Sequence, residues 1–319
     1  MATTNRIVMG MTNSIMPVAP PATGRDPTRI TRELTRPDYH IIRSFCHLLE
    51  NLSAMAPRVT SWEELLWVSE EIDEDTGDFQ YTMFATVEDD MVYYGQLNKP
   101  KADISFQHAN DSLARIPDEE IFPRWPQGLT LTKAPEELPP DVFVKRPRVA
   151  LYDIFLKHKV VHLLPKGLVE EAEALEVLGS QPHPNIVGYH GCHVRRGYIT
   201  GLVLDRHRHD LKSYLKSGRT IQDKELFIES LESAIHHLHS LGWAHNDLNP
   251  TNVLVAEDRR PILIDFGSAR RIGEKLSTSR GTKGWIDCEM KDYTTSETRH
   301  DTSALTKFRT WLDNPTFED

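Results

Sequence analysis

Cysteine is scarce in this 319-residue chain: Cys46, Cys192 and Cys288 are the only three, with no paired spacing. That excludes a disulfide framework and fits a reducing compartment. Also missing is any apolar run long enough to span a membrane as a helix, which takes about 20 residues. Positive charge is not in excess either. With 47 acidic against 37 basic residues, the net charge of −10 argues against an extended nucleic-acid surface. No internal repeat or low-complexity tract suggests a solenoid or an array. Residues 1–30 have neither an apolar segment nor a clear cleavage site, so they read as a disordered tail and not as a secretory signal. The expectation is a cytoplasmic or nuclear chain, not secreted, with no membrane or nucleic-acid partner and an open oligomeric state.

What is present suits an ordinary soluble protein. At 39% hydrophobic and 26% charged residues, the chain can build one large or two medium cores. Residues 37–55 read as a helix with Ile41, Phe45, Leu48 and Leu49 on one stripe. "TSWEELLWVSEEI" opens with Thr60 and Ser61, each three residues before a Glu, and the spacing predicts a capped helix. "FQYTMFATVEDDMVYYGQL" predicts two strands joined by an acidic turn at 88–90. A short helix is expected within 102–116, then a proline-rich connector with no regular element.

From Val142 the rhythm changes. "VFVK" reads as a strand ending in Lys145. "LVEEAEALEVL" reads as a helix with Leu168, Glu171, Leu175 and Leu178 on one face. "NIVGYHGCHV" and "YITGLVL" are expected strands. Residues 221–242 predict a long amphipathic helix with Leu226, Leu231, Ile235 and Leu238 inward and Gly242 as its stop. "NVLVA" and "PILIDF" predict strands flanking the turn at "EDRR".

Between the last two features lies "AHNDLNPTNVLV", dense in side-chain oxygens. Asp247 and Asn252 are five apart on a loop after a helix, and Asp265 follows 13 positions later at the end of a strand. Asn252 and Asp265 could share a Mg²⁺ across that hairpin. Asp247 would stand beside them, its carboxylate able to take a proton from an attacking hydroxyl, as phosphoryl transfer requires. A turn with only local Asx hydrogen bonding is the plainer reading. His236, His239 and His245 raise a zinc site, but successive helix faces and the lack of a completing ligand speak against it.

"HNDLNPTN" is similar to the protein-kinase catalytic loop, and "DFG" to that family's metal-binding motif. "VFVK" resembles the strand that carries the phosphate-binding lysine, which implies that role for Lys145. Glu171 is the implied ion-pair partner of Lys145, with Glu170 or Glu173 as its replacement after a small twist. "HPNIVGYHG" resembles the segment after the regulatory helix. "GTKGWIDCE" resembles the end of the activation segment, with Thr282 in the substrate-facing turn and Glu289 as its terminal Glu. Asp301 falls where the family braces its catalytic loop, and His245 reads as a buried spine residue. In "LDRHRHD", Leu204 is the implied gatekeeper and Asp205 opens the hinge that lines the nucleotide.

The chain thus resembles the divergent eukaryotic protein kinase-like superfamily, nearest to little-characterised fungal kinase-like proteins. The resemblance implies ATP and Mg as cofactors and a protein substrate. It also implies an α+β, bilobal kinase-like fold with an abbreviated helical C-lobe and an N-terminal extension. The boundaries expected are an extension over 31–130 and a kinase-like domain over 131–319, divided near 206/207.

Four departures accompany this. Gly128 is the only glycine between Gly95 and Lys145, so no glycine-rich loop covers the phosphates. Asn246 replaces the Arg before Asp247, which removes a partner for a phosphorylated activation loop. Asn249 replaces a Lys that helps neutralise the transferred phosphate. The chain ends 18 positions after Asp301, which motivates the expected short C-lobe. A pseudokinase, and a small-molecule phosphotransferase with a similar catalytic loop, are the alternative readings.

Overall fold

The computed structural model describes residues 57–317 apart from 74–75, 129, 277–279 and 290. The helix expected over 37–55 and the tail over 1–30 lie outside the described residues. Where Thr60 and Ser61 predict a helix start, the chain makes one 3₁₀ turn (Trp62–Glu64) and then strand β1 (Trp67–Ile72). Glu64 does reach back, accepting from the N–H and the hydroxyl of Thr60 at 2.9 and 2.6 Å. That closes a single turn four residues long. Beyond it Trp67 and Val68 favour extended backbone and find a partner in the next strand, so pairing overrides the cap signal.

Strand β2 (Phe79–Glu88) and strand β3 (Met91–Leu97) form the expected hairpin. Its two turn residues, Asp89 and Asp90, both have positive φ, as a two-residue turn matched to strand twist demands. Helix α1 (Phe106–Ser112) is N-capped by Ser105, whose hydroxyl accepts from His108 N at 3.2 Å. Strand β4 (Ala114–Arg115) completes an antiparallel sheet in the order β1-β2-β3-β4, followed by the short helix α2 (Asp118–Ile121).

A second sheet positions the site. It contains β5 (Val142–Lys145), then, after helices α3 (Tyr152–Lys157) and α4 (Leu163–Ser180), the strands β6 (Tyr189–Arg195) and β7 (Tyr198–Asp205), in the order β5-β7-β6. The proline-rich connector makes no regular element over most of its length, yet isolated bridges at Arg124–Tyr198 and Lys133–Cys192 tie it to β7 and β6. Gly191 permits the second approach: its φ is +114°, and a Cβ there would lie 2.7 Å from Ala134 N.

The remaining elements are β8 (His209–Asp210), α5 (Leu211–Lys216), α6 (Lys224–Ser240), β9 (Trp243–Ala244), β10 (Val253–Val255), β11 (Pro261–Leu263), β12 (Arg270–Arg271) and α7 (Thr298–Asp313). Helix α6 starts at Asp223, whose carboxylate accepts from Leu226 N at 2.9 Å. Its buried face is Phe227, Ile228, Leu231, Ala234, Ile235 and Leu238. Leu226, expected inward, is 58% exposed. Five positions from Leu231 is about 140° around a helix, so Leu226 cannot share its stripe.

The main core runs without a break from α4 and β6–β7 through α6 to α7. A second core joins Ala85 and Val92 of the first sheet to Val149, Tyr152, Leu164 and Tyr198. The fold is α+β, a sheet-bearing part leading into a helical one. No helix among the described residues is long and apolar enough to cross a membrane.

Candidate active site

Lys145 ends β5, paired with Leu202 of β7. Its ammonium reaches across to α4 and to the loop after β11, meeting Glu171 Oε1 at 2.5 Å and Asp265 Oδ1 at 2.9 Å. These groups come from positions 26 and 120 residues away. Glu171, not Glu170 or Glu173, takes this position; it lies on the buried face of α4 with Leu168 and Leu175. Its Oε1 also accepts from Phe266 N at 3.0 Å, which locks helix to loop. Glu170 pairs instead with Arg270, which is itself buried and donates to the carbonyls of Gly267 and Ala269.

Asp265 sits in a left-handed conformation at φ +62° and accepts from Gly267 N at 3.3 Å. Asp tolerates that region better than most residues because its short polar side chain bonds locally. Its second oxygen, Oδ2, is held by Arg148 at 2.9 Å. Burial opposes ionisation of Asp265, but Lys145 and Arg148 outweigh it and hold the carboxyl well below its ordinary range. Burial likewise pulls Lys145 down, while Asp265 and Glu171 more than compensate and keep the ammonium charged. Glu171 goes the other way: burial pushes its pKa up, and Lys145 offsets only part of that.

The catalytic-loop candidates gather beside a 3₁₀ turn, Pro250–Asn252. Asp247 Oδ1 accepts from Thr282 Oγ1 at 2.7 Å and from Asn249 Nδ2 at 3.1 Å. Asn252 Nδ2 donates to Asp247 O at 2.8 Å and to Asp247 Oδ2 at 3.3 Å. Burial raises Asp247, with the Thr282 hydrogen bond pulling against it. The backbone under this loop hangs on Asp301, fully buried in α7. Its carboxylate accepts from His245 N and Asn246 N, each at 2.8 Å, and meets His239 Nε2 at 2.8 Å. His245 is buried, meets Ile264 O at 2.9 Å, and packs edge-on against Phe266 at 5.3 Å. The rings of His239 and His245 are thus held by different partners, the Asp301 carboxylate and the Ile264 carbonyl.

Asn246 is buried with a positive φ of 62°. Its amide donates to Ala244 O, Ser268 O and Ser296 Oγ, its side-chain oxygen meets His300 Nδ1, and its backbone carbonyl accepts from Tyr293 OH. A compact, fully bonded amide therefore fills the place where the resemblance implies a cation. Glu289 lies on the surface.

Leu204 is buried on the face of the second sheet that Lys145 shares, since directly paired residues point to the same side and its partner is Phe143. Asp205 closes β7; its N–H donates to Gly188 O at 3.0 Å and its carboxylate meets His190 at 2.7 Å. Two surface hollows, about 460 and 560 Å³, are lined by residues near Arg195 and near Trp311 and contain none of these groups.

The donors suit a hard divalent cation: an ionised carboxylate at Asp265 and an amide at Asn252 whose NH₂ is committed to Asp247, leaving the carbonyl oxygen for a metal. Lys145 and Arg148 are two cations converging on one carboxylate, a setting that also suits an anionic phosphate chain. Arg148 was not reached by reading spacings. It stands in the basic run Lys145-Arg146-Pro147-Arg148, just past the end of β5, which marks the stretch without saying which arginine reaches Asp265.

Residues 149–305 match the model of the protein kinase domain. The chain is 32% identical over 143 residues to calcium/calmodulin-dependent protein kinase type 1B of Homo sapiens, a match covering 40% of each chain. It is 29% identical over 171 residues to the serine/threonine-protein kinase/endoribonuclease IRE1 of Hypocrea jecorina, covering 47% of this chain and 12% of that one. It is 27% identical over 164 residues to myosin-IIIa of Mus musculus, covering 46% and 10%. The chain spans less than half the length of each of these relatives. Motifs, fold and matched residues converge, and the chain belongs to the protein kinase-like superfamily.

Proposed function

We propose that this protein transfers the γ-phosphoryl group of ATP to a serine or threonine hydroxyl of a protein. The observation that carries the reading is the convergence of Lys145, Glu171 and Asp265 from three separate elements. Lys145 would neutralise the nucleotide phosphates while Glu171 keeps its ammonium in place. Leu204 and Asp205 would line the base, at the end of β7. Mg²⁺ held by Asp265 and Asn252 would supply charge neutralisation at the β- and γ-oxygens. Asp247 would accept the proton of the attacking hydroxyl as its oxygen bonds to the γ-phosphorus and the bond to the ADP oxygen breaks. Thr282 already presents a hydroxyl to that carboxylate at 2.7 Å, the hydrogen bond an acceptor would make.

Purified protein incubated with Mg²⁺, γ-labelled ATP and a mixed protein acceptor is expected to transfer label. In Asp247→Ala, transfer should fall by roughly 10²- to 10⁴-fold, the usual worth of a positioned base, with nucleotide binding retained. Equal incorporation by that variant would remove Asp247 from the role. A second reading, a nucleotide-binding module with little turnover, is favoured by Asn249. Its amide, where the family carries a lysine, brings no positive charge to Asp247. Binding of Mg·ATP without label transfer to any acceptor would select it.

A further inference from the structure

In four residues, Lys145 to Arg148, the chain carries three cations and aims them in two directions. Lys145 and Arg148 both turn to the site and hold opposite oxygens of Asp265, each at 2.9 Å. Arg146 leaves it to pair with Asp90 in the β2–β3 turn. The backbone beside Arg148 is fixed, because Pro147 restricts it on one side and Val149 and Tyr152 are buried on the other. Its side chain is 44% exposed and reaches over the surface of the site to a single carboxylate oxygen. A firmly anchored base thus carries a partly exposed side chain whose guanidinium rests on one carboxylate oxygen.

Charge arithmetic says which partner. A divalent cation bound to Asp265 Oδ2 brings two positive charges to the oxygen that Arg148 occupies, and like charges at contact distance repel. The guanidinium is then released next to the phosphates that such a cation accompanies. The chain also lacks the groups that would otherwise bind them: Gly128 is its only glycine between Gly95 and Lys145, and position 249 is Asn. Among the described residues β5 pairs only with β7, so no glycine-rich strand pair lies along its other edge.

We propose that Arg148 is a phosphate-binding residue for the nucleotide. Its guanidinium rests on Asp265 Oδ2 in the free protein and moves to the phosphate oxygens when a divalent cation takes that carboxylate oxygen. The inference rests on the phosphotransfer reading above, and its test separates the two. Equilibrium binding of ATP and of adenosine, each with Mg²⁺, is measured on the full chain and on Arg148→Ala and Arg148→Lys.

Arg148→Ala is expected to weaken ATP roughly tenfold to a hundredfold, the scale of one charge-assisted pair, and to leave adenosine unchanged. Unchanged adenosine affinity also certifies that the variant is folded. Arg148→Lys should recover part of the loss, since a point charge replaces a planar fork. ATP affinity equal to or tighter than wild type in Arg148→Ala overturns the inference, the tighter result marking Arg148 as a mere competitor of the metal. If the unaltered chain binds neither ATP nor adenosine, the phosphotransfer reading itself falls.

Discussion

At the scale of single residues, the site is governed by burial acting on carboxylates with different partners. Asp265 has two cations and stays ionised; Asp247 has hydroxyl and amide donors and is pushed up by burial. In the role proposed for it, Asp247 acts only when deprotonated, so transfer should fall as pH drops through a value above the ordinary aspartate range. Thr282→Ala removes a hydrogen bond that favours the ionised form, so the acid limb of the kcat profile should move to still higher pH. A limb that stays put or moves down would show that Thr282 does not tune Asp247. Asn246 offers a test independent of activity. It combines a positive φ with four side-chain hydrogen-bond partners in a fully buried place. Asn246→Ala adds backbone strain to orphaned buried groups and should cost about 2–4 kcal/mol in urea unfolding. A cost under about 0.5 kcal/mol, usual for a surface change, would contradict this account.

At the scale of elements, much was legible because apolar spacing and pairing agree. The hairpin at 79–97 could be read from its alternation and acidic turn, and α4 from the stripe that carries Glu171. Where the reading failed, a local signal lost to a tertiary one. The capping signature at Thr60 yields a strand because β2 offers Trp67 and Val68 a ladder. On α6 the stripe holds at Leu231, Ile235 and Leu238, and only Leu226 falls outside it, an apolar residue at the wrong angle whose place is taken by Phe227. That error has a measurable consequence. Leu231 is wholly buried, and Leu231→Ala should cost about 2–5 kcal/mol. Leu226→Ala should stay within about 0.5 kcal/mol. Chemical denaturation of both variants checks the pair, and equal costs would mean the helix face has been misassigned. Arg148 and Arg270 are hidden for a different reason: a basic run does not say which of its arginines turns to Asp265, and the pairing of Arg270 with Glu170 spans 100 positions.

At the scale of the whole molecule, the N-terminal sheet and the part that carries the site share packing. Ala85 and Val92 lie in one core with Val149, Tyr152, Leu164 and Tyr198. Charge reinforces it: Arg196 donates to both oxygens of Asp118 and to the carbonyls of Asp89 and Asp90 in the hairpin turn. Arg146 pairs with Asp90 from the strand end that also carries Lys145. The N-terminal sheet therefore braces the segment that bears both cleft cations, and a boundary near residue 130 does not separate two independent cores. A fragment of residues 131–319 would expose the four apolar side chains and leave Arg146 and Arg196 without their carboxylates. At roughly 1.5–3 kcal/mol for each large apolar group fully uncovered, the loss is about 6–12 kcal/mol at most. That equals the whole stability of many domains. The fragment is expected to be insoluble or to unfold at a clearly lower urea midpoint, while the full chain loses both sheets in one transition. A soluble fragment with the midpoint of the full chain would mean that the shared core holds the N-terminal sheet in place without supporting the lobe beneath it.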